Sequence, residues 1–216
     1  MQELPTITPL GDDALIVRFA QSISWDVSTR VRAAAAHMRK MVIDSVTDVV
    51  PAYTTIAVYF DSALIAFDAV AEAIAPAINA SAVDRFDKTT LIEIPVRYDG
   101  PDLTDVAERT GLTVAEVIAR HSSRTYRAYM SGFVPGFTYL GDLDPSLVLP
   151  RRAVPRVRVP AGSVAIAAAQ TAVYPLETPG GWHLIGSTTS EMFDADRNPP
   201  ALIHAGDTVR FVPVVA

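Results

Sequence analysis

Hydrophobic positions along this chain change their period several times, and the changes outline its parts. Residues 6–10 and 14–19 read as two strands joined across the turn Gly11-Asp12-Asp13. From 26 to about 42, Val27, Val31, Ala34, Ala35, Met38 and Met41 recur at helical spacing, with Arg30, Arg32, Arg39 and Lys40 on the other side, which predicts an amphipathic helix. Residues 46–50 and 54–60 form a second strand pair around Pro51-Ala52-Tyr53. Phe67, Val70, Ile74 and Ile78 then stripe a helix over 66–80, which Pro76 ends or bends. The order ββαββα describes a small two-layer α/β sandwich.

Periodicity lapses over the polar stretch 79–90, and the domain boundary is placed there, giving domains 1–88 and 89–216. Residues 91–98 are a strand assigned to the second domain. Two short helices, 102–109 and 113–121, flank Gly111-Leu112, and Thr113-x-x-Glu116 opens the second as a capping box. A strand at 124–130 leads into 132–141, read as a rigid loop of aromatics alternating with Gly and Pro. From Arg156 onward, short strands separated by Pro/Gly turns give an all-β barrel pattern, so the fold class is α+β.

Composition narrows the function. Half of the 216 residues are hydrophobic and 19% are charged, enough to bury a real core. A net charge of −6 argues against nucleic acid as a partner. The helix pair at 102–121 superficially mimics a DNA-binding helix-turn-helix, but its second helix offers Arg120 as its base beside Glu116, and that reading is rejected. With no cysteine, disulfides, thiolate nucleophiles and Cys-ligated zinc are excluded together. His37, His121, His183 and His204 share no metal-ligand spacing, so no intrinsic metal is expected. Lys40 and Lys88 are the only lysines, which leaves no Gly-x-x-x-x-Gly-Lys-Ser/Thr phosphate loop; Gly-x-Gly-x-x-Gly is absent too. The opening Met1-Gln2-Glu3-Leu4-Pro5 has no basic segment followed by an apolar one, and apolar runs are too interrupted to span a bilayer. A soluble cytoplasmic protein is the expectation.

Candidate chemistry concentrates in 158–186. Ala161, Gly162, Ser163, Ala165, Ala167, Ala168, Ala169 and Ala172 form a run of small side chains, set among Gln170, Thr171, Tyr174, Glu177, Trp182 and His183. Thr178-Pro179-Gly180-Gly181 reads as a turn whose glycines take positive φ and expose backbone N–H groups. The run is either a shallow pocket floor beside an anion-accepting loop, or a tightly packed barrel corner. Phe133, Pro135, Gly136, Phe137 and Tyr139 form either an exposed ledge for a partner or ligand, or a plug at a barrel end. Seven arginines fall between 120 and 158, a clustering that suits carboxylate or phosphate recognition as well as plain ion pairing.

The motif Gly-Phe-x-Pro-Gly-Phe-x-Tyr-Leu-Gly (132–141), the stretch 158–186, Phe193-Asp194, Pro199-Pro200 and Gly206-Asp207-x-Val209-Arg210-Phe211 together resemble a known family. It is the group of 5-oxoprolinase B subunits, also labelled allophanate hydrolase subunit 1 or sporulation-kinase inhibitor, and the resemblance covers essentially the full length. Departures are Ala168 and Ala172 where glycine is usual, Thr178 where serine is, and Ser187 and Thr189 where Arg and Pro are expected. The resemblance implies a cyclophilin-like C-terminal β-barrel. It also implies a subunit, inactive alone, of an ATP-dependent 5-oxoprolinase that opens 5-oxoproline to L-glutamate with partner subunits C and A. Alternatives within the group are a regulator that inhibits a sensor histidine kinase, and subunit 1 of an allophanate hydrolase or urea carboxylase-type enzyme. An unstrained lactam reacts slowly, so ATP is used to phosphorylate its oxygen; without a phosphate loop here, ATP belongs largely on a partner. Such chemistry needs anion-stabilising donors, a base and exclusion of water. The residues assigned to it are His121, Gln170 and His183 as catalytic groups. Thr171, Tyr174, Glu177, Pro179, Gly180, Gly181 and Trp182 are assigned to substrate binding.

Overall fold

In the computed structural model, residues 5–80 and 89–214 are described, so 81–88, within the boundary stretch, lie outside the described residues. The chain divides into units 1–88 and 89–216.

The first unit contains β1 (Thr6–Pro9), β2 (Ala14–Arg18), α1 (Trp25–Lys40), β3 (Val46–Pro51), β4 (Thr55–Phe60) and α2 (Phe67–Ala80). The strands form one antiparallel sheet in the order β1-β2-β4-β3. Alternation along β2 and β4 sends Leu15, Val17, Ile56, Val58 and Phe60 to one face. There they pack against Val31, Ala34, Ala35 and Met38 of α1 and Val70 and Ile74 of α2, the ββαββα sandwich that the periodicity predicts. Ser24 caps α1 by accepting from the Val27 N–H, and Asp26 at its start and His37, Arg39 and Lys40 at its end complement the helix dipole. Pro76 does not end α2; the helix runs past it to Ala80.

The second unit contains β5 (Leu91–Val96), α3 (Leu103–Thr110), α4 (Val114–Ser122), β6 (Thr125–Ser131), β7 (Thr138–Gly141), a 3-10 turn at Pro145–Leu147, β8 (Arg156–Val159), β9 (Ser163–Ala167), β10 (Gln170–Val173), β11 (Thr178–Gly180), β12 (His183–Ser187) and β13 (Thr208–Pro213). Seven strands pair in the order β12-β9-β10-β7-β6-β13-β5. Arg97 and Ser187 exchange backbone hydrogen bonds of 2.9 and 2.8 Å across the two ends, nearly closing the sheet into a barrel. The capping box of α4 is formed, with Thr113 and Glu116 bonding each other's backbone N–H. The second half of 132–141 is strand rather than loop: β7 pairs with both β6 and β10, because Thr138, Leu140 and Gly141 are buried in the sheet.

The two faces of the barrel sheet carry different residues. Inward, Ile94, Val96, Tyr126, Ala128, Leu140, Val164, Ile166, Val173, Ile185, Val209 and Phe211 meet Val106 and Val117 of the helices. Outward, on β9, β10 and β12, lie Ala165, Ala167, Ala172 and Leu184, covered by Phe137, Tyr174 and Trp182. The small-residue run is therefore packing: short side chains let three large rings approach the sheet. Ala168 begins the two-residue connection from β9 to β10 at φ +48, a region that glycine enters without Cβ strain.

Candidate functional site

Five aromatic rings assemble on the outer alanine face. Phe137 is the hub, with edge-on contacts to Phe133 (5.4 Å between centroids), Tyr139 (4.9 Å), Tyr174 (5.4 Å) and Trp182 (5.8 Å). Tyr139 also meets Trp182 at 6.0 Å. The ledge expected from sequence needs correcting: Phe137 is 2% exposed and Tyr139 half-buried, while Phe133, 59% exposed, is the ring that reaches solvent. Burial of Phe137 follows from its seat between the sheet and the Tyr174 and Trp182 rings. Pro135 is exposed, and Gly136, at φ +80, leaves no room for a Cβ, which would sit 2.6 Å from the Phe193 Cβ.

Thr178-Pro179-Gly180-Gly181 is not the glycine turn that its composition suggests. Thr178–Gly180 is β11, paired with β8, and neither Gly180 nor Gly181 takes positive φ. Gly180 serves close approach instead: a Cβ there would lie 2.3 Å from the Tyr174 hydroxyl. Burial raises the Tyr174 pKa, opposed by a hydrogen bond from the Trp182 backbone and the charge of Arg151. Glu177 is on the surface, held by Arg158 through two bonds of 2.9 Å. Strand parity places Gln170 on the outer face with Ala172, and Thr171 inward with Val173.

Neither histidine proposed from sequence belongs to the aromatic cluster, although His183 directly follows Trp182. His121, fully buried, stacks on Phe211 at 4.7 Å. The Thr171 hydroxyl donates to the Ala165 carbonyl at 3.0 Å, so at 2.9 Å it accepts from His121 Nε2–H. His121 Nδ1 then accepts from the Tyr98 hydroxyl at 2.7 Å. Both ring nitrogens are engaged, and burial pushes the His121 pKa down to about 3. This arrangement leaves the imidazole no lone pair to present to a water, so it pins α4 to β10 rather than acting as a base. His183 is buried as well, its Nε2–H donating to the Pro150 carbonyl at 2.9 Å, with Nδ1 3.9 Å from Asp105. His121, Gln170 and His183 thus do not converge on one point.

The buried polar centre is Asp102, which sequence reasoning misses. Instead of capping α3, its carboxylate accepts from Arg156 at 2.7 and 2.8 Å, from Arg152 at 2.8 Å and from the Leu184 N–H at 2.7 Å. Burial alone would raise its pKa, but the Arg156 hydrogen bond, the Leu184 N–H and the charges of Arg156 and Arg152 outweigh it and hold the carboxyl below its ordinary range. Together with the Arg152 N–H bonded to the Gly181 carbonyl at 2.8 Å and the His183–Pro150 bond, Asp102 ties segment 150–156 against the Gly181–Trp182 corner. Its lone sequence signal is an acidic residue directly after Gly100-Pro101 at a helix start.

Among the described residues no group of His, Asp or Glu is arranged to hold a metal, and no helix is long and apolar enough to cross a membrane. The family model of the carboxyltransferase domain, subdomain C and D, matches residues 5–203, and the chain belongs to that family. Its relatives carry a more particular name. The B subunit of 5-oxoprolinase from Bacillus subtilis (strain 168) is 38% identical over 221 residues, 96% of this chain and 92% of that protein. Its counterpart of the same name from Escherichia coli O157:H7 is 54% identical over 129 residues, 58% of this chain and 59% of that one. The crystal structure of TTHA0988 superposes with a TM-score of 0.82 at 36% identity, covering 94% of this chain and 40% of that longer one.

Proposed function

We propose that this chain is the B subunit of an ATP-dependent 5-oxoprolinase, opening 5-oxoproline to L-glutamate in the cytoplasm together with subunits C and A. The observation that carries this reading is the relative of nearly equal length that bears that name and aligns along almost the whole chain. ATP sits largely on a partner. The partly exposed Tyr139, tilted against the buried Trp182, is the apolar surface for the lactam ring, with Gln170 and the strand 178–180 at its border. The buried carboxylate Asp102 and the surface carboxylate Glu177 are both occupied by arginines, and a partner subunit supplies the base that activates water. The test is reconstitution. The purified chain alone is expected to release no glutamate and no ADP from 5-oxoproline and ATP, whereas addition of subunits C and A restores both. Turnover by the isolated chain overturns its role as a dependent subunit, and a complete but inactive set overturns the activity.

A further inference from the structure

Of the four arginines between 151 and 158, three have carboxylates on them: Arg152 and Arg156 share Asp102, and Arg158 holds Glu177. Arg151 has none among the described residues, and its side chain is exposed. Its backbone, by contrast, is fixed on both sides. The Leu149 carbonyl accepts from the Ala168 N–H at 2.7 Å, the Pro150 carbonyl from His183 at 2.9 Å, and the Arg152 N–H donates to Gly181 at 2.8 Å. A fixed backbone sets the point from which an unpaired guanidinium reaches an anion, and ordering the side chain is then the main cost of binding. Because its neighbours Pro150 and Arg152 are bonded to His183 and Gly181, the residues on either side of Trp182, Arg151 is held beside that ring, and its charge acts on the Tyr174 phenol that touches Gly180.

We propose that Arg151 receives the carboxylate of the small-molecule substrate beside the Tyr139–Trp182 ring pair. The inference rests on the 5-oxoprolinase reading for the identity of that substrate, a five-membered lactam with one carboxylate. A planar, two-pronged donor holds a carboxylate in one orientation, which would present the lactam carbonyl away from the arginine and toward the partner that supplies ATP.

The enzyme reconstituted with its partner subunits and carrying Arg151→Gln or Arg151→Lys is assayed with 5-oxoproline and with 2-pyrrolidinone, the same lactam without the carboxylate. Arg151→Gln is expected to raise KM for 5-oxoproline by roughly 10- to 100-fold, the loss typical of a charged hydrogen bond. KM for ATP and the rate on 2-pyrrolidinone stay unchanged, so preference for the carboxylated lactam falls by the same factor, and Arg151→Lys recovers part of it. An unchanged preference overturns the proposal. So does a rise confined to KM for ATP, which would assign Arg151 to a nucleotide phosphate, or dissociation of the complex, which would assign it to an acidic residue of the partner. If the wild-type assembly does not turn over 5-oxoproline, the oxoprolinase reading fails on its own. Calorimetric titration of wild-type and Arg151→Gln assemblies with 5-oxoproline then decides Arg151 separately: tighter binding by the wild type supports it, and equal affinity or no binding overturns it.

Discussion

An imidazole enclosed by Tyr98, Tyr126, Phe211 and Thr171 has no water to stabilise its charge, so His121 titrates at about 3 in the folded barrel against about 6.5 when unfolded. The sign follows directly. Between these values the unfolded chain binds the proton and the folded one does not, so the stabilisation present above pH 6.5 is lost as pH falls toward 3. The slope from this one group approaches about 1.4 kcal/mol per pH unit once the unfolded histidine is protonated. The variant His121→Gln keeps an acceptor for Tyr98 and a donor for Thr171 without a titrating ring. Urea unfolding between about pH 7 and pH 5, where the carboxylates held low by Arg and Ser partners stay ionised, is expected to show stability falling more steeply in wild type than in His121→Gln. Parallel slopes would mean that the ring is accessible to protons in the folded state.

Among elements, the segment 150–156 depends most on a single side chain. Asp102, 4% exposed, neutralises Arg152 and Arg156 and bonds β12. Asp102→Ala leaves two partly buried guanidinium groups unpaired; because both retain some contact with water, the expected loss is about 2–3 kcal/mol, below the full cost of breaking a buried pair. Chemical denaturation measures it, and a loss under about 0.5 kcal/mol, the range of ordinary surface changes, would show the clamp to be dispensable. Asp102 is not legible in the sequence because its partners lie 50, 54 and 82 residues away. What local chemistry determines is legible: the ββαββα order and the capping box at Thr113. Misreadings arise where local and long-range signals compete. Glycine and proline at 178–181 suggest a turn until Tyr174 is seen to need the space above Gly180. The aromatics of 132–141 suggest a loop until β6 and β10 are seen to pair with its second half.

For the molecule as a working subunit, the informative ring is Phe133. It is exposed, bulky and held at φ +77, a conformation that costs a non-glycine residue about 1–3 kcal/mol. Its edge-on contact with Phe137 covers only part of the ring. Strain combined with exposure at the rim of the aromatic cluster is unfavourable for an isolated chain, and it fits a ring that is buried when a partner docks, since aromatic side chains dominate interface hot spots. Phe133 is therefore the anchor expected to meet a partner subunit, with the proposed C subunit as the first to test. Co-expressed wild-type proteins should co-elute in size-exclusion chromatography at micromolar concentration. Phe133→Asp should weaken the complex by at least about 10-fold, the loss of a modest hot spot, with no fall in Tm of the chain alone. Phe133→Gly makes the sharper test: relief of the positive φ should raise the Tm while the complex still weakens, moving stability and affinity in opposite directions. Phe137→Asp cannot make this distinction, because that ring is the buried hub and its loss unfolds the cluster. If both Phe133 variants bind this partner as wild type does, the strained ring serves some other contact and the docking face lies elsewhere on the barrel.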